Sequence, residues 1–133
     1  MDLSKLVDYD LTVPVEIHKD KDGAVVFNVR SIDNAESQRI MAKRRATMMG
    51  KRVAKDGDAL DDETAEIMTD MIDPPPEILA TCVMSWDWGG HTFGDMGKNP
   101  KFTPENVAET LRYKWIKNKV QFASQNIGNF TQA

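Results

Sequence analysis

The sequence is poor in the residues on which most enzymatic and extracellular chemistry depends. It has one cysteine, Cys82, and two histidines, His18 and His91. A single cysteine excludes an internal disulfide and fits a reducing cytoplasm. No Gly-x-Ser-x-Gly turn, Walker loop, dinucleotide fingerprint or zinc-ligand spacing occurs. Neither an enzyme nor a cofactor is therefore expected. No stretch approaches the roughly 20 apolar residues that span a bilayer. Residues 1–5 carry neither the basic nor the apolar region of a signal peptide, so no membrane association is expected. Basic residues are also missing from one long segment: residues 56–97 contain no lysine or arginine.

What is present is organised by charge. The 133 residues (15.0 kDa) carry a net charge of −4, which argues against general polyanion binding. Every ionisable residue of 39–55 is basic (Arg39, Lys43, Arg44, Arg45, Lys51, Arg52, Lys55). Asp58, Asp61, Asp62, Glu63, Glu66, Asp70, Asp73 and Glu77 then crowd the segment that follows, and basic residues return over 98–119. Adjacent blocks of opposite sign suggest helices lying side by side and partly neutralising one another.

The length fits a single domain over 1–133. Val13, Val15 and Ile17 alternate, turn residues surround Asp22-Gly23, and Val25–Val29 is β-branched and aromatic. Residues 11–30 thus read as a β-hairpin, with Pro14 placing the first strand at an edge. A helical body over 33–125 follows. Asp33 with Glu36 reads as a capping box opening a helix over 35–54. The turn at 55–58 leads to a helix over 60–72, which Pro74-Pro75-Pro76 ends. A third helix over 77–85 carries Ile78, Leu79, Cys82 and Val83, and residues 86–97 form a glycine-rich loop. Thr103-Pro104-Glu105 starts the last helix, running to about residue 123. Val107, Leu111, Tyr113, Trp115, Ile116, Val120 and Phe122 supply its buried side. Residues 126–133 read as a C-terminal tail anchored by Phe130. The expected fold class is mainly α (α+β): about four helices with an N-terminal β-hairpin.

Isolated polar residues have plain readings. His91 lies near Asp87 and Asp95, but a metal site needs three or four converging ligands and the intervening glycines fix no geometry. No metal is expected, and His18 reads as an exposed strand-end residue. Asp56-Gly57-Asp58 fails the calcium-loop pattern because its glycine is misplaced. Cys82, among apolar neighbours, reads as a small core residue. The basic helix could lie on phosphates, but stacking aromatics are missing from it, and a solvated or acid-paired face explains it better.

One ordered set of features goes further. The hairpin ends in Val29-Arg30-Ser31, and a charged helical pair follows. A short helix runs into Val83-Met84-Ser85-Trp86-Asp87. Then come Phe102-Thr103-Pro104-Glu105-Asn106, a helix with Trp115-Ile116, and a closing Gly128-Asn129-Phe130. Over roughly residues 12–131 this order and character resembles the tail assembly chaperones of long-tailed (siphovirus-type) bacteriophages. The Trp-Asp pair followed by the Phe-Thr-Pro-Glu-Asn helix start is its most telling part.

The resemblance implies a protein of the host cell cytoplasm that binds the long, apolar, helical tape measure protein and keeps it soluble. It also implies help to the tail tube protein in polymerising around it, with no retention in the virion. Many such chaperones are made as a short and a frameshifted longer form; this chain would be the short form or a member without an extension. Partner-binding residues are then expected at Trp86, Trp88, Phe93 and Phe130. Of these Trp88 and Phe93, flanked by glycines, are expected to be exposed, whereas Trp86 and Trp115 are expected in the core. The alternatives are a structural morphogenesis protein (tail terminator or head–tail connector), a small DNA-binding regulator using residues 39–55, and, last, an enzyme.

Overall fold

In the computed structural model, which describes residues 3–53 and 72–131, the alternating valines form the hairpin. β1 (Val13–Asp20) and β2 (Gly23–Val29) pair antiparallel, with β1 at the sheet edge as Pro14 requires. Asp20 Oδ1 accepts the Asp22 N–H at 2.9 Å across the turn, and Gly23 follows at φ 146°. The register shifts between Glu16 and His18. That bulge leaves Ile17 without a cross-strand partner and buries its side chain.

Helix α1 (Ala35–Val53) opens on a different residue from the one expected. Asn34, not Asp33, is the cap: its Oδ1 accepts the Ser37 N–H at 2.9 Å. Its Nδ2 donates to Ser31 O (2.7 Å) and Thr81 Oγ1 (3.2 Å). Asn34 is buried and ties the start of α1 to a turn 47 residues away, whereas Asp33 is exposed. Local spacing gives no view of such a tertiary cap. Asn34→Ala is expected to cost about 2 kcal/mol, combining a lost cap with buried hydrogen bonds, checked by urea denaturation.

The fold is α+β, and the mainly helical body expected from sequence is corrected by a third strand. Helix α2 (Pro76–Ala80) stops where residues 77–85 were expected to stay helical. Thr81 donates its hydroxyl (2.6 Å) and its N–H (3.1 Å) back to Ile78 O, closing a tight turn. β3 (Val83–Asp87) then pairs antiparallel with β2, giving the order β1-β2-β3 and aligning Trp86 with Phe27. Strand wins here because the outer edge of β2 needs a partner, and a lone hairpin is marginal in water.

The long last helix is also two. Thr103 caps α3 (Pro104–Thr110) by accepting the Asn106 N–H at 3.1 Å. A turn at 111–113 follows, and α4 (Lys114–Gln125) packs on β1 and β2. Ile116, Val120, Ala123 and Ser124 form its buried side. The core they complete contains Ile17, Val25, Phe27, Val29, Leu79, Val83 and Leu111.

The C-terminal segment is packed rather than trailing. A 3-10 turn (Ile127–Phe130) buries Phe130 completely, and Asp8 N–H donates to Phe130 O at 2.9 Å. The helix expected over 60–72 and the turn at 55–58 lie outside the described residues, apart from Ile72. Among the described residues, Arg44 with Glu77 (2.9 Å) and Lys117 with Asp73 (2.5 Å) join the charge blocks. Both acids are exposed, so each pair is worth at most about 1 kcal/mol. No helix among the described residues is long and apolar enough to cross a membrane.

Candidate partner-binding cleft

The aromatic residues of the 86–102 region form a packed ladder. Trp86 meets Phe27 (5.2 Å between ring centroids), Trp88 (5.5 Å) and Phe102 (5.4 Å), and its indole N–H donates to Pro100 O at 3.0 Å. Trp88 meets Phe27 (5.8 Å) and Phe93 (5.1 Å), and Phe93 meets Tyr113 (5.0 Å). Tilted and edge-on contacts of this kind add to the apolar burial itself.

The expected exposure of Trp88 and Phe93 is corrected accordingly. Trp88 is 5% exposed, and its Nε1 has no hydrogen-bond partner among the described residues. Phe130 has no exposed surface, while Trp86 and Phe93 are half-buried. Trp88 and Phe93 still line a cavity of about 390 Å³, with Ile17, Val25 and Trp115. Phe130 is a core residue. The glycines around Trp88 serve the backbone instead. Gly89 sits at φ 59°, and a Cβ there would lie 2.4 Å from Ala24 O. The loop is thereby free to close on the hairpin and bury the indole.

Tyr9, Phe102 and Tyr113 are partly exposed, but the two most exposed aromatics among the described residues are on α4. Trp115, expected in the core, is 51% exposed, and Phe122, expected on the buried side, is 75% exposed. Seven positions apart, they share one helix face, turned away from the face of Ile116, Val120 and Ala123. The signal was present in sequence: apolar residues occupy two faces of this helix, and the sheet covers one. Beside Phe122 runs a groove of about 410 Å³ between α4 and the edge strand, lined by Val13, Pro14, Val15, Lys119 and Ala123 among others. Lys119 stands where this groove and the Trp88 cavity approach each other. Its ammonium donates to Ile17 O at 2.6 Å and lies 5.9 Å from the Trp115 ring centroid. Groove and cavity are separate, but both lie along β1 and α4 and with the two rings make a discontinuous cleft. Its walls mix apolar side chains with Glu16, Asn126 and Asn129 in the groove and His18 and His91 in the cavity.

Two polar features flank or underlie this cleft. At the hairpin end, His18 Nε2 lies 2.8 Å from Asp20 Oδ2 and His91 Nε2 lies 3.3 Å from Asp20 Oδ1. His18, which reads from sequence as a lone strand-end residue, thus pairs with Asp20, and His91 turns to the same Asp20 rather than to Asp87 or Asp95. Asp87 is engaged by the Gly89 N–H at 2.9 Å. The hydrogen bond with His18 is the main cause holding the Asp20 carboxyl below its ordinary value. In the core, Cys82 is fully buried and its thiol is pushed up to about 11, chiefly by desolvation. A thiol so raised is not a nucleophile at neutral pH. The native chain is expected to resist thiol reagents at pH 7, with labelling only on unfolding, as a colorimetric thiol assay with and without denaturant would show.

Comparison with family models, with curated proteins and with solved structures finds no match to this chain.

Proposed function

We propose that this chain is a phage tail assembly chaperone that holds an apolar helical segment of the tape measure protein in the β1–α4 cleft. The class rests on the ordered resemblance of residues 12–131, and the place rests on the geometry. The observation that carries it is the outward display of Trp115 and Phe122 on one face of α4, beside the groove on the edge strand. Large aromatics on a rigid helix lose little conformational freedom on binding and are the side chains enriched at binding hot spots. A helix presenting apolar side chains three, four and seven apart would set them into the groove and the cavity in turn. The tail tube protein is the second partner, the site of action is the host cytoplasm, and the finished virion does not retain the chain.

Co-expression with the tape measure protein of the same genome tests this reading. The expected outcome is soluble tape measure protein that co-purifies with the chain. An insoluble partner with no complex would overturn it, and finding the chain in purified virions would favour a terminator or connector instead.

A further inference from the structure

Both histidines of the chain, 73 positions apart in sequence, meet at one carboxylate. They come from separate elements: His18 and Asp20 from the end of β1, His91 from the loop after β3. One nitrogen from each ring and one Asp20 oxygen all lie within 4.8 Å of one another. The two imidazoles stand edge to face at 5.6 Å, and Gly23 O lies 3.3 Å from His91 Nε2. The surrounding backbone is closely built. A Cβ on Gly23 would fall 2.6 Å from Gly89 O, so at this point hairpin tip and loop meet backbone to backbone. Asn99 then fixes the loop, accepting the Gly90 N–H at 2.8 Å and donating its own N–H to His91 O at 2.9 Å.

We propose that His18, Asp20 and His91 bind a divalent first-row transition ion, zinc foremost, which staples the hairpin tip to the loop after β3. The donor set is two imidazole nitrogens and one carboxylate, which suits zinc and its neighbours and not the hard ions that take all-oxygen shells. Tetrahedral zinc with bonds of about 2.0–2.2 Å places its ligand atoms about 3.3 Å apart. The observed separations, 2.8 Å from His18 Nε2 to Asp20 Oδ2 and 3.3 Å from His91 Nε2 to Asp20 Oδ1, end on different oxygens of the one carboxylate. A single-oxygen ligand set therefore needs a small shift, which the exposed His18 is placed to make. Each ring would hold its one proton on Nδ1 and offer Nε2 to the ion. Three protein ligands leave a position for water or a small anion, and His18 and His91 also line the 390 Å³ cavity beside them. The site is independent of the chaperone reading and would stand if that reading failed.

Calorimetric titration of the untagged, metal-stripped full chain with Zn²⁺ tests the proposal, with Co²⁺ absorption as a second readout. One equivalent should bind, Co²⁺ should give visible ligand-field bands, and zinc should raise the melting temperature. His18→Ala and His91→Ala should each weaken zinc binding at least tenfold, and the double variant should lose the Co²⁺ bands. Because His18 is exposed, His18→Ala keeps the test sound even if His91→Ala folds poorly. Absence of zinc binding by the parent chain would overturn the proposal. So would unchanged affinity in His18→Ala or the double variant, or equal competition by Mg²⁺, each of which would place the ion on carboxylates elsewhere.

Discussion

Phe27→Ala is expected to destabilise the chain by about 3–5 kcal/mol, a large share of the roughly 5–15 kcal/mol that holds a small domain folded. Phe27 is fully buried at the middle of the central strand, paired with Val15 on one side and Trp86 on the other. Its ring touches both Trp86 and Trp88, so truncation removes buried area and two aromatic contacts together. Tight packing leaves the neighbours little room to collapse into the space. Urea denaturation followed by tryptophan fluorescence measures the loss, and the emission should shift in the native baseline as well, because two of the three tryptophans lose a neighbour. A loss under about 1 kcal/mol would mean that the sheet and the aromatic ladder do not share one core.

Trp115→Ala and Phe122→Ala are each expected to weaken tape measure binding at least tenfold, about 1.4 kcal/mol or more, and to leave folding stability within about 0.5 kcal/mol. Both side chains lie mostly in solvent, so removing them empties no core. Trp115→Ala also removes the ring beside Lys119, but that ammonium keeps its bond to Ile17 O. Denaturation curves superimposed on the parent's, beside a clear loss in pull-down of a tape measure fragment, would separate a contact role from a structural one. Unchanged binding in both variants would move the contact surface off α4.

The parts of this fold that were legible in sequence are those fixed by neighbours in the chain. The hairpin follows from alternation around Asp22-Gly23, the edge position of β1 from Pro14, and the start of α3 from Thr103-Pro104. What escaped was decided by distant partners. Residues 83–87 carry apolar side chains compatible with helix, and only the unpaired edge of β2 makes them a strand. Asn34 outranks Asp33 as a cap because Thr81 completes its hydrogen bonds. The glycines beside Trp88 predict exposure, yet those glycines are what let the loop fold over it. Trp115 and Phe122 read as core beside Ile116 and Val120 because a helix with two apolar faces does not say which one the sheet will cover. His18 and His91 looked unrelated because a hairpin tip and a loop in contact leave no trace in spacing.

Calorimetric titration of the purified chain with a soluble helical fragment of the tape measure protein, repeated at several temperatures, tests the docking role most directly. An apolar helix seated between β1 and α4 predicts saturable binding with a negative heat-capacity change, abolished or sharply weakened by Trp115→Ala with Phe122→Ala. No binding heat at any temperature, supported by separate elution of the two proteins, would contradict it.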